Sequence, residues 1–318
     1  MQGAIDSCTN CHWPLPALVE RRKMKILVPL DVSPASQMAL GFLSRRPYLS
    51  RQSDITLMTV HQLIRPSLMR LIAHDDIEKV REAAADEILK NAQQHFEALG
   101  KTPEFVTTVG DPVEEIVKKA RDIGADLILM AAHGERNLGD ILMGSVSRGV
   151  LAHAPCPVLM VRNQLPAAGR PLRVVVPVDT QEVTSHAVDW VIEHRELFGP
   201  MTDFRLVHAV ENSSMDVLPR FTTPGSAMSE LALKGQRNAK WHEAVDPVAQ
   251  RFAAAGLTSR NIALAGRASQ AIADYVTREE IDLIVIGSHA RGELKALILG
   301  SVAAEVMSLT NAPMIIIR

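Results

Sequence analysis

"MKILVPLDVSPAS" runs from Met24 to Ser36, and "LRVVVPVDTQEVT" runs from Leu172 to Thr184. Each is an apolar run closed by a proline, one hydrophobe and an aspartate. The pair Pro29-Leu30-Asp31 and Pro177-Val178-Asp179 stands 148 positions apart. A short apolar run without polar alternation reads as a strand buried on both faces, the pattern of a parallel sheet covered by helices. Further along, "VTTVGDPVEEIVKKARDIGADLILMAAHG" (106–134) is echoed by "IALAGRASQAIADYVTREEIDLIVIGSHA" (262–290), with Gly110 and Gly266, and His133 and His289, each 156 apart. The copies close on "APCPVLMVR" and "NAPMIIIR", ending at Arg162 and Arg318, again 156 apart. A constant offset over half of each unit marks an internal repeat. The drift from 148 to 156 places about eight extra residues in the second copy, within "SSMDVLPRFTTPGSAMS" (213–229), which reads as a long loop.

Each copy reads as five strands alternating with four helices. In the first, strands are expected near 24–31, 54–61, 104–109, 126–132 and 157–162. The intervening segments have helical periodicity: "EEIVKKARDI" puts Ile116, Val117 and Ala120 on one face and Lys118, Lys119 and Arg121 on the other. The fold class is therefore α/β, two tandem doubly wound five-stranded parallel-sheet domains. Boundaries follow from the repeat: a flexible tail over 1–23, a first domain over 24–163, a linker over 164–171 within the Pro/Gly/Ala-rich "NQLPAAGRP", and a second domain over 172–318.

The chain has 318 residues, 47% of them hydrophobic, and a net charge of −2. That near-neutral balance argues against nucleic acid or an anionic membrane surface as partner. No apolar run approaches the ~18 residues of a membrane span, and the first 23 residues lack the apolar core of a secretory signal. A cytoplasmic location is expected. Three cysteines, Cys8, Cys11 and Cys156, make no disulfide framework. "CTNCH" (8–12) has the spacing of a c-type haem attachment site. That chemistry belongs to exported chains and this stretch lies outside the repeat, so haem is not expected; Met24 is even an alternative start. Cys156, just before a buried strand, reads as a core thiol.

In an open parallel sheet, ligands bind beyond the carboxyl ends of the strands where the winding reverses. Four places in each copy lie at such ends. Asp31 and Asp179 end the first strand, where a carboxylate accepts from a ribose diol. With Ser33-Pro34 read as an N-cap with proline at N1, Asp31 is left to a ligand rather than to the helix. Next come His61-Gln62 and His208-Ala209, whose backbone could read an adenine edge; a packed histidine at a strand end explains them better. Gly110 and Gly266 follow the third strand, where turn geometry serves as well as a ligand. The strongest signal is "AAHGERNLGDILMGSVS" (131–147), matched by "GSHARGELKALILGSVA" (287–303), in which Gly144-Ser145 and Gly300-Ser301 open a helix. Backbone N–H groups at a helix start, with a hydroxyl, make a phosphate cradle.

A strand ending Pro-x-Asp, then Gly-x-x-Gly, nine residues and Gly-Ser, then a terminal "PVLMVR" strand, resembles the universal stress protein family, here as a tandem member. The resemblance covers nearly the whole chain apart from tail and linker. It implies a Rossmann-like, adenine nucleotide alpha hydrolase-like fold and a stress-response regulator that binds ATP, with AMP or ADP as alternatives and Mg²⁺ as a companion ion. It also implies pairing through the last strands, as a homodimer or an internal pseudo-dimer, and a regulatory protein partner that the sequence does not name. In the first copy Gly134, Gly144 and Ser145 match the family motif, Val146 and Ser147 continue it, and Ala131 stands where its first glycine belongs. The Asp31-x-Ser33 pair matches the ATP-binding branch. In the second copy Gly287, Gly300 and Ser301 match, but Ala290 and Ala303 replace a glycine and a hydroxyl, and Gln181 stands in place of Ser33. The first site is expected to be the competent one.

No Walker Gly-x-x-x-x-Gly-Lys-Ser/Thr run and no Ser-Gly-Gly loop after the first strand occur. The third strand ends in Val109-Gly110, not in the aspartate a phospho-receiver needs. Asp111 and Asp140 are the candidate Mg²⁺ neighbours for weak hydrolysis. A binding switch is expected over an enzyme, with a dimerising scaffold that takes no nucleotide, or a slow hydrolase, as the alternatives.

Overall fold

The computed structural model describes residues 22–51, 53–62, 74–97, 99–131, 143–167, 170–180, 182–210, 227–288 and 299–318. The haem-like stretch, His133, Gly134, Asp140, Gln181, His289 and Ala290 lie outside the described residues.

The first copy runs β1 (Met24–Pro29), α1 (Pro34–Arg45), α2 (Pro47–Arg51), β2 (Ser53–His61), α3 (His74–Glu97), β3 (Glu104–Val109), α4 (Pro112–Ile123), β4 (Leu127–Ala131), α5 (Ser145–His153) and β5 (Val158–Val161). The second runs β6 (Arg173–Pro177), α6 (Glu182–Glu193), a 3₁₀ turn (Arg195–Leu197), β7 (Asp203–Val210), α7 (Ala227–Ala254), β8 (Ser259–Ala265), α8 (Ala268–Arg278), β9 (Leu283–Gly287), α9 (Ser301–Leu309) and β10 (Met314–Ile317). Helix α7 begins inside the stretch read as loop, so Ala227–Ser229 are helical. The strands are where the apolar runs put them, and the five-residue α2 was not legible from periodicity.

Within each copy every strand pair is parallel. The two five-stranded sheets are not separate. β5 and β10 pair antiparallel, Leu159 opposite Ile315, so that ten strands form one sheet in the order β3-β2-β1-β4-β5-β10-β9-β6-β7-β8. Alternate strand residues feed opposite faces. Ile26 and Val28 pack beneath α1 and α3, in a cluster that continues to Trp190 and Phe252 of the second copy. Leu27 faces the other way, toward Ile116 of α4, Val150 of α5 and Val306 of α9. Each core layer therefore runs through both copies.

The repeat recurs in polar detail. Asp126 accepts from the Lys25 backbone N–H at 2.8 Å and from Arg22 at 2.7 Å. Asp282 accepts from the Arg173 N–H at 2.9 Å and from Arg170 at 2.7 Å. Each aspartate ties the start of the fourth strand to the start of the first, and Arg22, within the stretch read as tail, joins its copy in this way. A second junction lies at α2. Arg46 donates to the Phe198 carbonyl at 3.1 Å. Gly199, at φ +90°, lies where a Cβ would meet Tyr48 Cδ2 at 2.9 Å, so both backbone conformation and space call for glycine. Among the described residues no helix is long and apolar enough to cross a membrane.

Candidate functional site

The strand order β3-β2-β1-β4-β5 reverses its winding between β1 and β4. A cavity of ≈ 250 Å³ opens there, at the carboxyl ends of β1, β2 and β4. Its polar lining includes Asp31, Ser33, Gln62, Ser145 and Ser147, and its apolar lining includes Met58, Val60, Ile116 and Met130. Ala131, Gly144 and Val146 complete the residues expected from sequence that line it; Gly110 is not part of that lining.

Asp31 stands two residues beyond β1. The N-cap reading of Ser33 kept Asp31 clear of local bonds, and here the structure differs. Ser33 has the extended backbone of an N-cap and Pro34 follows at N1, but its side chain makes no bond to the helix. Its hydroxyl goes to Asp31 Oδ1 instead. The same oxygen accepts the Ser33 N–H at 3.0 Å and the Ser36 hydroxyl at 2.8 Å, while Ser36 Oγ accepts the Asp31 N–H at 2.8 Å. The carboxylate is thus pre-oriented by two serines at the rim of the cavity. Ser36 was missed in the sequence, although the signal was there: Asp31 and Ser36 recur as Asp179 and Thr184, which are bonded at 2.5 Å.

Helix α5 opens at the cavity. Its N-cap is Gly144, with extended backbone and no side-chain cap. The first N–H groups of a helix have no intrahelical partner, and uncapped they suit an anion. Ser145 is exposed, and Ser147 is buried within the first turn. Helix α4, by contrast, is closed: Asp111 accepts from the N–H groups of Val113 and Glu114 at 2.9 and 3.1 Å. Of the two candidate Mg²⁺ neighbours, Asp111 thus serves as a helix cap, and Asp140 lies outside the described residues.

Gly110 and Gly266 answer different needs. Gly266 has φ +111°, a conformation side chains rarely adopt, with open space around it. At Gly110 a Cβ would sit 2.8 Å from Glu115 Cγ. Both N–H groups bond back to the second strand of their copy, to His61 and Val210. At the end of β2, His61 Nε2 is buried without a partner. Burial, then the Arg81 charge, hold its pKa below the usual range against the pull of Glu78. In the second copy Val210 takes the place of His61, and His208, two residues earlier, donates from Nδ1 to the Val178 carbonyl at 2.7 Å, a packed histidine near the strand end, beside the half-buried Ala209.

The second copy differs where phosphate would lie. Gly300 is again an N-cap without a side-chain cap, but its own N–H donates to the buried Ser288 hydroxyl at 2.9 Å. Ser301 is exposed, and the buried Ala303 takes the place of Ser147. Glu305 stands where the first copy has Gly149 and bonds Ser269 and Arg267, both at 2.5 Å. Gly287 closes β9.

A family model described as "Universal stress protein family" matches residues 23–162 and again 172–318. The chain belongs to the universal stress protein family. A universal stress protein of Mycobacterium tuberculosis is 25% identical over 307 residues, covering 92% of this chain and 96% of its own. One from Methanocaldococcus jannaschii is 30% identical over 154 residues, 44% of this chain and 95% of its own length, the size of a single copy. In fold, the chain is similar to a universal stress protein structure from Archaeoglobus fulgidus, with a TM-score of 0.66 at 22% identity over 93% of this chain and 97% of that one. The tandem organisation expected from the repeat is that of this family, and the α/β fold is as expected.

Cys156, the one cysteine among the described residues, is half-buried and free. Burial pushes its thiol up to about 12, the Asp126 charge adds to this, and a backbone hydrogen bond at Ile128 opposes it. A thiol of that kind stays protonated and unreactive at neutral pH.

Proposed function

We propose that the first copy binds an adenine nucleotide, ATP with ADP or AMP as alternatives, and that its occupancy rather than turnover is the output: a nucleotide-dependent stress-response switch. The observation that carries this reading is the cavity at the reversal of winding. It gathers an oriented carboxylate, an apolar wall and an uncapped helix N-terminus in one place. The family supports it, since universal stress proteins include adenine-nucleotide binders.

In this reading Asp31, held by Ser33 and Ser36, accepts from the ribose hydroxyls. Met58, Val60, Ile116 and Met130 pack against the base, whose edge meets the backbone at Gln62. Ala131, Gly144, Ser145, Val146 and Ser147 surround the phosphates through backbone N–H groups and hydroxyls, while Gly134 of the same sequence motif lies outside the described residues. A volume of ≈ 250 Å³ has room for a nucleoside, just below the ~300–1,000 Å³ usual for ligand pockets. Mg²⁺ would accompany the phosphates. We assign no catalytic residue: phosphoryl transfer needs a positioned base and metal-holding carboxylates, and Asp111 is engaged as a helix cap.

The second copy, with Asp179, Ala209, Gly287, Gly300 and Ser301 in the corresponding places, is read as a weak site or none. The bond from Gly300 to Ser288 favours its scaffold role. We place the protein in the cytoplasm, where a partner would read the geometry set by the ligand. Denaturing the purified protein and chromatographing what is released tests the reading. About one adenine nucleotide per chain is expected, and none from Asp31→Ala. No released nucleotide and no rise in Tm with added ATP would refute it.

A further inference from the structure

Helix α5, whose first turn lines the cavity, is held at its other end by the second copy. Arg318, the residue after β10, donates from Nη1 to the carbonyls of Leu151 at 2.9 Å and Ala152 at 2.5 Å. These belong to the last turn of α5, where carbonyls have no intrahelical partner. A guanidinium there satisfies them and sets a positive charge against the negative end of the helix dipole. The helix is nine residues long, about 13 Å at ~1.5 Å per residue. A helix that short does not hold itself in place, so its position depends on what grips its flank and its ends. The flank is gripped by α4, against which Gly149 leaves no room: a Cβ there would lie 2.5 Å from Val113 Cγ2. The carboxyl end is gripped by Arg318.

The mirror contact exists. Arg162, after β5, bonds the Met307 carbonyl and, at 2.9 Å, the Thr310 carbonyl at the end of α9. The two arginines share one equivalent carbonyl, Leu151 and Met307, in opposite directions and differ in the second, and the helices they hold differ at the far end. Helix α5 opens into the cavity. At the start of α9 the Gly300 N–H is taken by Ser288, and Ala303 provides no hydroxyl.

We propose that Arg318 is a positioning residue for the phosphate-binding end of the first copy, acting through α5, so that the second copy completes a site it does not itself line. This rests on the reading of the first copy as the nucleotide site. The expected loss on Arg318→Ala is about two- to fivefold in ATP affinity, the range a cation at a helix C-terminus supplies. Adenosine, which lacks phosphate, should bind unchanged.

The test is calorimetric titration of the full chain with ATP and with adenosine, in four forms: unaltered, Arg318→Ala, Arg318→Lys and Arg162→Ala. Arg318→Ala should lose ATP affinity and keep adenosine affinity. Arg318→Lys should keep most of both. Arg162→Ala, which breaks the same kind of bridge between the copies, should keep both. An equal loss for ATP and adenosine, an equal loss in Arg162→Ala, or no loss in Arg318→Ala overturns the positioning role while leaving the site standing. An unaltered chain that binds neither ligand overturns the nucleotide reading, and this inference with it.

Discussion

Gly149 and Glu305 occupy the same place in the two copies, and each needs the neighbour it has. Opposite Gly149 stands Val113; opposite Glu305 stands Ser269, whose hydroxyl bonds the carboxylate. Gly149→Ala drives a methyl into a branched side chain on a packed helix, and overpacking of that kind costs about 1–3 kcal/mol. Chemical denaturation should show that loss, and Val113→Ala in the same chain should recover most of it. The two turn glycines should separate in the same assay. Gly266→Ala is strained by its φ and should cost about 1 kcal/mol or more. Gly110→Ala should cost less, because Glu115 can swing aside. At Cys156 the protonated thiol predicts chemistry: alkylation followed by mass spectrometry should be slow at pH 8 in the native protein and fast once it is unfolded. A fast native reaction would contradict the assignment of a half-buried thiol held protonated. The sequence showed which residues are present here but not what they do. Asp31 stood out at once, whereas its engagement by Ser33 and Ser36 depends on a hydroxyl five residues away and on the turn that brings it back.

At the scale of elements, the helices differ in how they are closed. Asp111 caps α4, and Gly124 ends it with φ 59°. Asp111→Ala should cost about 1 kcal/mol without touching the cavity, so nucleotide binding should survive it. Two histidines set a pH dependence. His61 at the end of β2 and His95 on α3 both have pKa values lowered, in each case first by burial. A histidine held neutral adds stability above its unfolded value of about 6.5, and that stability is lost as the pH falls through the folded value, because the unfolded chain then binds more protons. Tm should therefore drop between pH 7.5 and 5.5, and His61→Gln should shrink the drop. A Tm that stays flat, or rises on acidification, would contradict these assignments. The elements themselves were largely legible because buried parallel strands are written as continuous apolar runs, and α4 as a clean amphipathic pattern. The five residues of α2 carry too little periodicity to be read.

Over the whole molecule, the repeat revealed two copies and their pairing strands, but an apolar last strand reads the same whether its partner lies in the same chain or another. In this chain β5 and β10 join, and core layers run across the junction. Calorimetric unfolding should accordingly give one cooperative transition; two separated transitions would mean the copies are independent. The departures from the repeat at Ser288, Ala303 and Glu305, where the first copy has Ala132, Ser147 and Gly149, fit the proposed division of labour, in which one half would hold a nucleotide and the other the helix that binds it. The most direct check is an ATP titration of the purified, nucleotide-free chain by calorimetry, repeated with Asp31→Ala and Asp179→Ala. One site per chain, lost in Asp31→Ala and retained in Asp179→Ala, is the expected result. Two equal sites per chain, or binding that survives Asp31→Ala and disappears in Asp179→Ala, would contradict the assignment of the first copy as the nucleotide site.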